Sequence, residues 1–380
     1  MKRFWNIAGS VLALLLKAAA GCLCLLLAGS ILLSFLLVGG TSKTGTQNSD
    51  TNYALTDRYN MFVTNTLSDV LDGVLSIPKV YWLNDDDLVA PKPNPDGYGT
   101  AKDPASLQWL LDQAAPLLEG QDTLFSADTP VYANSEIRYY YDETILSIAW
   151  KEIIDHAIYT IAEVKIADSS QFRRFVADGD YSSGAKYFPS EMATSVNAVL
   201  ASNGDFYSFR DDGIIVYDSK LMRDERWSMD SCFITENGDL MFARRGQYTT
   251  RKAIEEVVYG NGVRFSLAFG PVLIENGQRC SIPDRYPVGE GKQNYPRIAL
   301  CQLDELHYLV VSVSNEPPYG PAHTLDVFAD NLMDMGAKMA YNLDGGQSAT
   351  IVMGNKTVNY VWQRKVSDII YFATAIPDGE

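Results

Sequence analysis

The chain is poor in histidine, in paired cysteine and in positive charge, and each shortage removes a class of function. Its 380 residues include three histidines, His156, His307 and His323. They are far apart in sequence and none sits in an HExxH pattern, which disfavours a zinc hydrolase or a histidine-based triad. Of the five cysteines, Cys22 and Cys24 fall in an N-terminal apolar run, and Cys232, Cys280 and Cys301 remain without a CxxC spacing. An odd number so spaced does not indicate a disulfide framework. The three read as semi-buried thiols, with one pair open to oxidation in an oxidising compartment. Against 47 Asp and Glu there are 31 Lys and Arg, a formal charge of −16. A body of that sign repels nucleic acid, although one or two arginines can still hold a single phosphate. A Walker-type GK[ST] and a GxSxG elbow are also missing.

A long apolar run is present. After Lys2 and Arg3, residues 11–38 (VLALLLKAAAGCLCLLLAGSILLSFLLV) exceed the roughly 20 residues that span a bilayer. The length favours an uncleaved transmembrane anchor, while VGG-T near residue 40 also has the form of a weak cleavage site. Lys2 and Arg3 place the N-terminus in the cytoplasm, so the expectation is a single-pass protein of the cell membrane with everything after residue 40 extracytoplasmic. The expected divisions are 1–40 for the N-terminus and anchor, 41–56 for a polar linker, 57–129 for a helical and loop extension, and 130–380 for the main domain.

In the extension, residues 60–77 have apolar residues near helical spacing. Residues 84–104 read as a loop rich in Pro, Gly and Asp, and Asp103 with Pro104 opens a helix through LQWLLDQAAPLL. From about residue 130 short β-like runs dominate, beginning with Val131–Tyr132 and punctuated by the turn signals ENGD, ENGQ and MGNK. Helices are expected at 170–176, at 190–195, around 250–259 and at 324–335, where Thr324 caps and Gly336 stops. Residues 144–154 fit strand or helix equally by period. The fold class is α+β: a strand-rich mixed-sheet domain with a few packed helices, preceded by the transmembrane helix and a small helical region.

Four stretches carry polar residues that a core does not need. In SNGDFY, Asn203-Gly204 signals a turn and Asp205 is placed to accept backbone hydrogen bonds. In GPVLIENGQ a hairpin explains all but Gly270, which can let a ligand approach the backbone. In NYPRIALCQ, Arg297 heads an apolar strand, either as a surface charge or as a planar fork for a carboxylate or phosphate. In NLDGGQSAT, Asp344 is followed by Gly345, Gly346, Ser348 and Thr350; a turn explains Asp344-Gly345, and two successive unobstructed N–H groups would form an anion nest.

Taken together and in this order, SNGDFYSF, FGPVLIENGQ, YPRIAL and AYNLDGGQSATIVMGN resemble the phosphodiester glycosidase family from about residue 130 to 376. Its domain occurs in a lysosomal enzyme and in bacterial envelope proteins, often called exopolysaccharide-related. The resemblance implies a hydrolase that removes a sugar from a sugar-1-phosphate diester, with a pocket made of Asn203, Asp205, Arg297, Asp344, Gly345, Gly346 and Ser348. The chain departs from many relatives at Gln347 and Ala349, where they carry a third glycine and a second hydroxyl. Cleaving a glycosyl C–O bond commonly uses a carboxylate pair, here Asp205 and Asp344. Asp344 is expected as nucleophile or base and Asp205 as orienter or proton handler, roles that can be exchanged; Arg297 and the glycine N–H groups neutralise the phosphate. No cofactor is indicated. The expected partners are a phosphorylated glycan or sugar-1-phosphodiester, and the membrane through the N-terminal helix. Two alternatives stand beside this reading: a non-catalytic binder of phosphorylated envelope polysaccharide, and a metal-assisted phosphodiesterase with Asp205, Asp344 and Asn203 as oxygen ligands.

Overall fold

The computed structural model describes residues 82–84, 87–205, 207–287 and 291–378. The chain divides after Lys79 into two units, so the expected transmembrane segment at 11–38 and the helix at 60–77 lie outside the described residues. Among the described residues no helix is long and apolar enough to cross a membrane.

The second unit is built from strands β1 (Tyr98–Ala101), β2 (Ile137–Asp142), β3 (Ile145–Ile154), β4 (Ala157–Ile166), β5 (Phe172–Val176), β6 (Leu200–Asn203), β7 (Ile214–Tyr217), β8 (Lys220–Asp224), β9 (Ser231–Thr235) and β10 (Leu240–Ala243). They continue as β11 (Val263–Leu267), β12 (Val272–Glu275), β13 (Gln278–Arg279), β14 (Arg297–Asp304), β15 (His307–Ser314), β16 (Met339–Asn342), β17 (Ile351–Met353), β18 (Lys356–Thr357) and β19 (Asp368–Phe372). The α-helices are α1 (Gln108–Leu118), α2 (Pro189–Ser195), α3 (Arg251–Gly260) and α4 (Leu325–Asp334).

A nine-stranded sheet runs β1-β2-β3-β4-β15-β14-β16-β12-β13, and a five-stranded sheet runs β18-β17-β6-β19-β5. A three-stranded sheet, β10-β9-β11, and the β7-β8 hairpin complete the set. Among the described residues every strand pairing is antiparallel, which corrects the expected mixed sheet. The turn signals explain the pattern: ENGD, ENGQ and MGNK close the tight hairpins β9–β10, β12–β13 and β17–β18, and tight hairpins join antiparallel neighbours.

The nine-stranded sheet is covered on both sides. Along β15 the residues alternate: Tyr308 and Val310 join Leu200, Ile351 and Phe372 of the five-stranded sheet in one core, while Leu309, Val311 and Val313 pack with Leu110 of α1 and Phe328 of α4 in another. A strand with two buried faces loses its polar alternation, which is why β4 (AIYTIAEVKI) and β15 (HYLVVSVS) are buried throughout. Helix α2 covers the outer face of the five-stranded sheet through Met192, Ala193 and Val196. The order is therefore helix, sheet, sheet, helix.

Helices α2, α3 and α4 lie where expected, with Thr250 and Thr324 capping through their hydroxyls. Asp103 caps a short 3-10 turn that leads into α1. Residues 144–154 resolve as β3, and β1 lies inside the stretch read as loop. Val131 and Tyr132 belong to no strand. The helix expected at 170–176 is instead a 3-10 turn followed by β5. The spacing of Phe172, Phe175 and Val176 suits a helix, but register with β19 decides for a strand. That outcome sends Phe172 and Arg174 to one face and Arg173 and Phe175 to the other. Cys232, Cys280 and Cys301 are free thiols.

Candidate active site

The four polar stretches converge where β6 and β16 end and where β14 and β19 begin. β16 lies in the nine-stranded sheet and β17 in the five-stranded one, so residues 343–350 cross from one sheet to the other. Asp344 sits on this crossover. Asn203, the last residue of β6, holds the crossover in place: its amide nitrogen donates to the Asp344 carbonyl (2.9 Å) and its amide oxygen accepts from the Thr350 N–H (3.0 Å). Both ends of the side chain are thus committed to backbone, and Asn203 acts by positioning.

Gly345 is needed for close approach: a Cβ there would lie 2.6 Å from the Pro296 carbonyl oxygen. Gly346 is needed for conformation, with φ at +60°. The expected nest differs, because the Gly346 N–H donates to the Pro296 carbonyl (2.9 Å). That bond seats the crossover on the start of β14, beside Arg297. Gly270 also has a positive φ, +72°, and both its backbone groups bond Asn342, so it fixes the end of β16. Ser348 and Thr350 are fully buried.

Asp344 has a side chain only 11% exposed, and its Oδ2 accepts from Nη2 of Arg364 at 2.5 Å. Nε of Arg364 donates to Ser348 Oγ, also at 2.5 Å. Burial raises the Asp344 carboxyl above its ordinary range, with help from the charge of Asp205, while Ser348 and Arg364 oppose the shift. Arg297 donates to the Gln293 carbonyl (2.9 Å), its guanidinium lies 5.6 Å from the centre of the Tyr295 ring, and burial pushes it down to about 10. A largely desolvated arginine is a strong site for an anion.

Asp205 is placed differently from Asp344. Its side chain is fully buried; Oδ1 accepts from Nη2 of Arg174 (2.9 Å) and from the Tyr207 N–H (2.8 Å), and Oδ2 accepts from the Ala268 N–H (2.6 Å). Asp368 shares the same guanidinium at 2.8 Å. Burial pushes the Asp368 carboxyl up, against the attraction of Arg174. Burial alone would lower the Arg174 guanidinium, but the two carboxylates raise it above its ordinary value. Gly204 permits this packing, since a Cβ there would collide with the Asp368 carboxyl.

Arg174, Arg364 and Asp368 were not singled out from the sequence. For Arg174 and Asp368 a signal existed, a charge inside an apolar strand that must be paired when buried. Arg364 lies in the polar WQRK segment and carries no such mark. The oxygen ligands considered for a metal are committed elsewhere: Asn203 Oδ1 to Thr350, and Asp205 to Arg174 and two backbone N–H groups. Among the described residues no group of three or more His, Cys, Asp or Glu is arranged to hold a metal. A cavity of about 970 Å³ lies elsewhere, lined by Gln302, Asp304 and Lys338 at the far end of β14. The run of β14 puts these lining residues roughly 17–24 Å from Arg297.

Residues 196–373 match the family model described as Phosphodiester glycosidase. No curated protein gives a significant match. Among solved structures, the chain is similar to a hypothetical protein from Synechocystis, at 14% identity and a TM-score of 0.45, covering 65% of this chain and 64% of that one. It is also similar to the zebrafish N-acetylglucosamine-1-phosphodiester alpha-N-acetylglucosaminidase catalytic domain auto-inhibited by its pro-peptide, at 17% identity and a TM-score of 0.49, covering 68% of this chain and 92% of that one. The aligned part thus spans less than two thirds of the Synechocystis protein. Asn203, Asp205, Arg297, Asp344 and Arg364 all fall inside residues 196–373, the segment that matches the phosphodiester glycosidase model.

Proposed function

We propose that the protein is a membrane-anchored, extracytoplasmic phosphodiester glycosidase acting on a sugar-1-phosphate diester in a bacterial cell-envelope glycan or glycolipid. The observation that carries the activity is the pairing of a mostly buried carboxylate, Asp344, with Arg364, next to Arg297 across the Gly345–Pro296 contact. The family match supports the reaction class. The anchor and the envelope location rest on the apolar run at 11–38 and the charges of Lys2 and Arg3.

In this reading Asp344 is the nucleophile, or the base that activates water, at the glycosyl carbon. The leaving phosphate is a weak base, so it needs neutralisation rather than a strong proton donor, and Arg297 and Arg364 provide it. Arg364 serves both partners: it opposes protonation of Asp344 before substrate arrives and faces the phosphate afterwards. Asp205 supports the site through Arg174 and the N–H groups of Tyr207 and Ala268. A carboxylate with both oxygens already occupied is poorly placed to exchange a proton with substrate.

That same observation favours one second reading, a phosphoglycan binder without turnover, because a binder needs the arginines and only one carboxylate. The test is to incubate the full chain with sugar-1-phosphodiesters in ¹⁸O water, beside Asp344→Asn. Label in the sugar, and its loss in the variant, is the expected result. Label in the phosphate would identify a phosphodiesterase, and binding without product would identify the binder.

A further inference from the structure

Residues 357–364 form a strap that passes from the β17–β18 hairpin to Arg364. It is pinned along its length. Asn359 accepts from the Ile351 N–H (2.8 Å) and donates to the Ala349 carbonyl (2.7 Å) and to Ser312 Oγ (3.2 Å). Gln363 donates to Thr357 Oγ1 (2.5 Å), and the Arg364 N–H bonds the Gln347 carbonyl (3.1 Å). Between these anchors the strap holds Tyr360 at 47% exposure and Trp362 at 83%. A tryptophan so exposed, on a backbone so constrained and two residues from the Asp344 partner, offers an ordered flat apolar face at low entropic cost.

A second observation concerns the space behind the strap. Thr357 and Val358 line a cavity of about 230 Å³ together with Arg138, Lys151 and Thr160. This is below the roughly 300 Å³ at which pockets for drug-sized ligands begin, so it suits one small ring or part of one. Its charges are balanced, Arg138 with Glu136 (2.9 Å) and Lys151 with Glu316 (2.8 Å). The hydroxyl of Thr160, a residue 1% exposed, has no hydrogen-bond partner. Thr160 pairs across β4 and β15 with Ser312, which Asn359 bonds, so one side chain separates this row from the crossover that carries Asp344. A neutral lining rich in donors and acceptors matches polyhydroxylated chemistry better than an anion or a hydrocarbon.

We propose that the strap is a saccharide subsite, in which Trp362 stacks on a neutral pyranose ring of the glycan bearing the phosphodiester and the cavity behind Thr357 receives that glycan's hydroxyl groups. This rests on the phosphodiester glycosidase reading and narrows its substrate to one with sugar beyond the scissile bond. The test labels the full chain with fluorotryptophan and follows ¹⁹F spectra on addition of maltotriose or N,N′-diacetylchitobiose, the Trp362 signal being identified with Trp362→Phe. That signal is expected to shift and the signal of Trp227, exposed elsewhere, to stay. A static Trp362 signal overturns the subsite, as does one that moves only with vesicles of phosphatidylcholine and phosphatidylglycerol, which would make Trp362 a membrane contact. Thr160→Val is expected to weaken the saccharide response several-fold, and an unchanged response rejects the cavity's part. In turnover, Trp362→Ala is expected to raise KM for a glycosyl-substituted phosphodiester about tenfold more than for a methyl-substituted one; an equal effect on both rejects the subsite. If neither substrate turns over, the activity reading fails while the ¹⁹F result still decides the subsite.

Discussion

Asp344 and Asp205 are the same side chain in two different situations. Asp344 keeps an edge toward solvent and an arginine that is 41% exposed, so a substrate phosphate can compete for its partner. Its carboxyl is raised by burial, and only the ionised form can act as base or nucleophile. The acid limb of kcat/KM is therefore expected above the ordinary carboxylate range. Arg364→Gln removes a group that opposes the shift, so the limb should move to still higher pH; a limb that stays put or moves down would refute the pairing's role. Asp368 gives a stability prediction of defined sign. Burial raises its carboxyl above the ordinary carboxylate range, against the attraction of Arg174, so folding favours its protonated form. The stability from that preference is full in acid, below the ordinary carboxylate value, and is lost as pH rises through the raised one. Asp368→Asn keeps the shape without the titration, and thermal melts from pH 5 to 9 should show a shallower decline than the parent.

At the scale of elements, the site depends on a connection that changes sheets. Residues 343–350 leave β16, lean on Pro296 and enter β17, and Gly345 allows the lean. Gly345→Ala places a Cβ against a backbone oxygen that cannot rotate away, so the crossover must move from β14. A loss of turnover of about a hundredfold is expected, with a much smaller change in urea midpoint, because a displacement near 1 Å costs about that much in rate. Equal turnover in the variant would mean that the Asp344–Arg297 arrangement is not required. The capped helices and the three hairpins were legible because caps and two-residue turns are local chemistry. β5 was not, since the residues of QFRRFV fit either period and only pairing with β19 separates them.

For the whole molecule, the prediction concerns topology. With residues 11–38 as anchor, the full chain should fractionate with membranes and be digested by protease added outside spheroplasts. Deleting residues 1–40 should leave it inside the cell, since the signal for export would be gone; secretion of the deletion variant would rule out that topology. The net charge of −16 belongs to this scale too: it disfavours polyanions as general partners but not a single phosphate held by one or two arginines, because short-range contacts exceed the screened field of the body.

By itself the sequence determined a strand-rich α+β domain, its hairpins and capped helices, and four stretches holding Asn203, Asp205, Arg297 and Asp344, because turn residues, caps and runs of apolar residues act over a few positions. Only the tertiary structure decided what each of those residues does. Whether a carboxylate is open to substrate depends on who else reaches it: Arg174 comes to Asp205 from 31 residues away and Arg364 to Asp344 from 20. The first distance closes when β5, β19 and β6 pair side by side in the five-stranded sheet, and the second when the segment ending at Arg364 folds back on the 343–350 crossover.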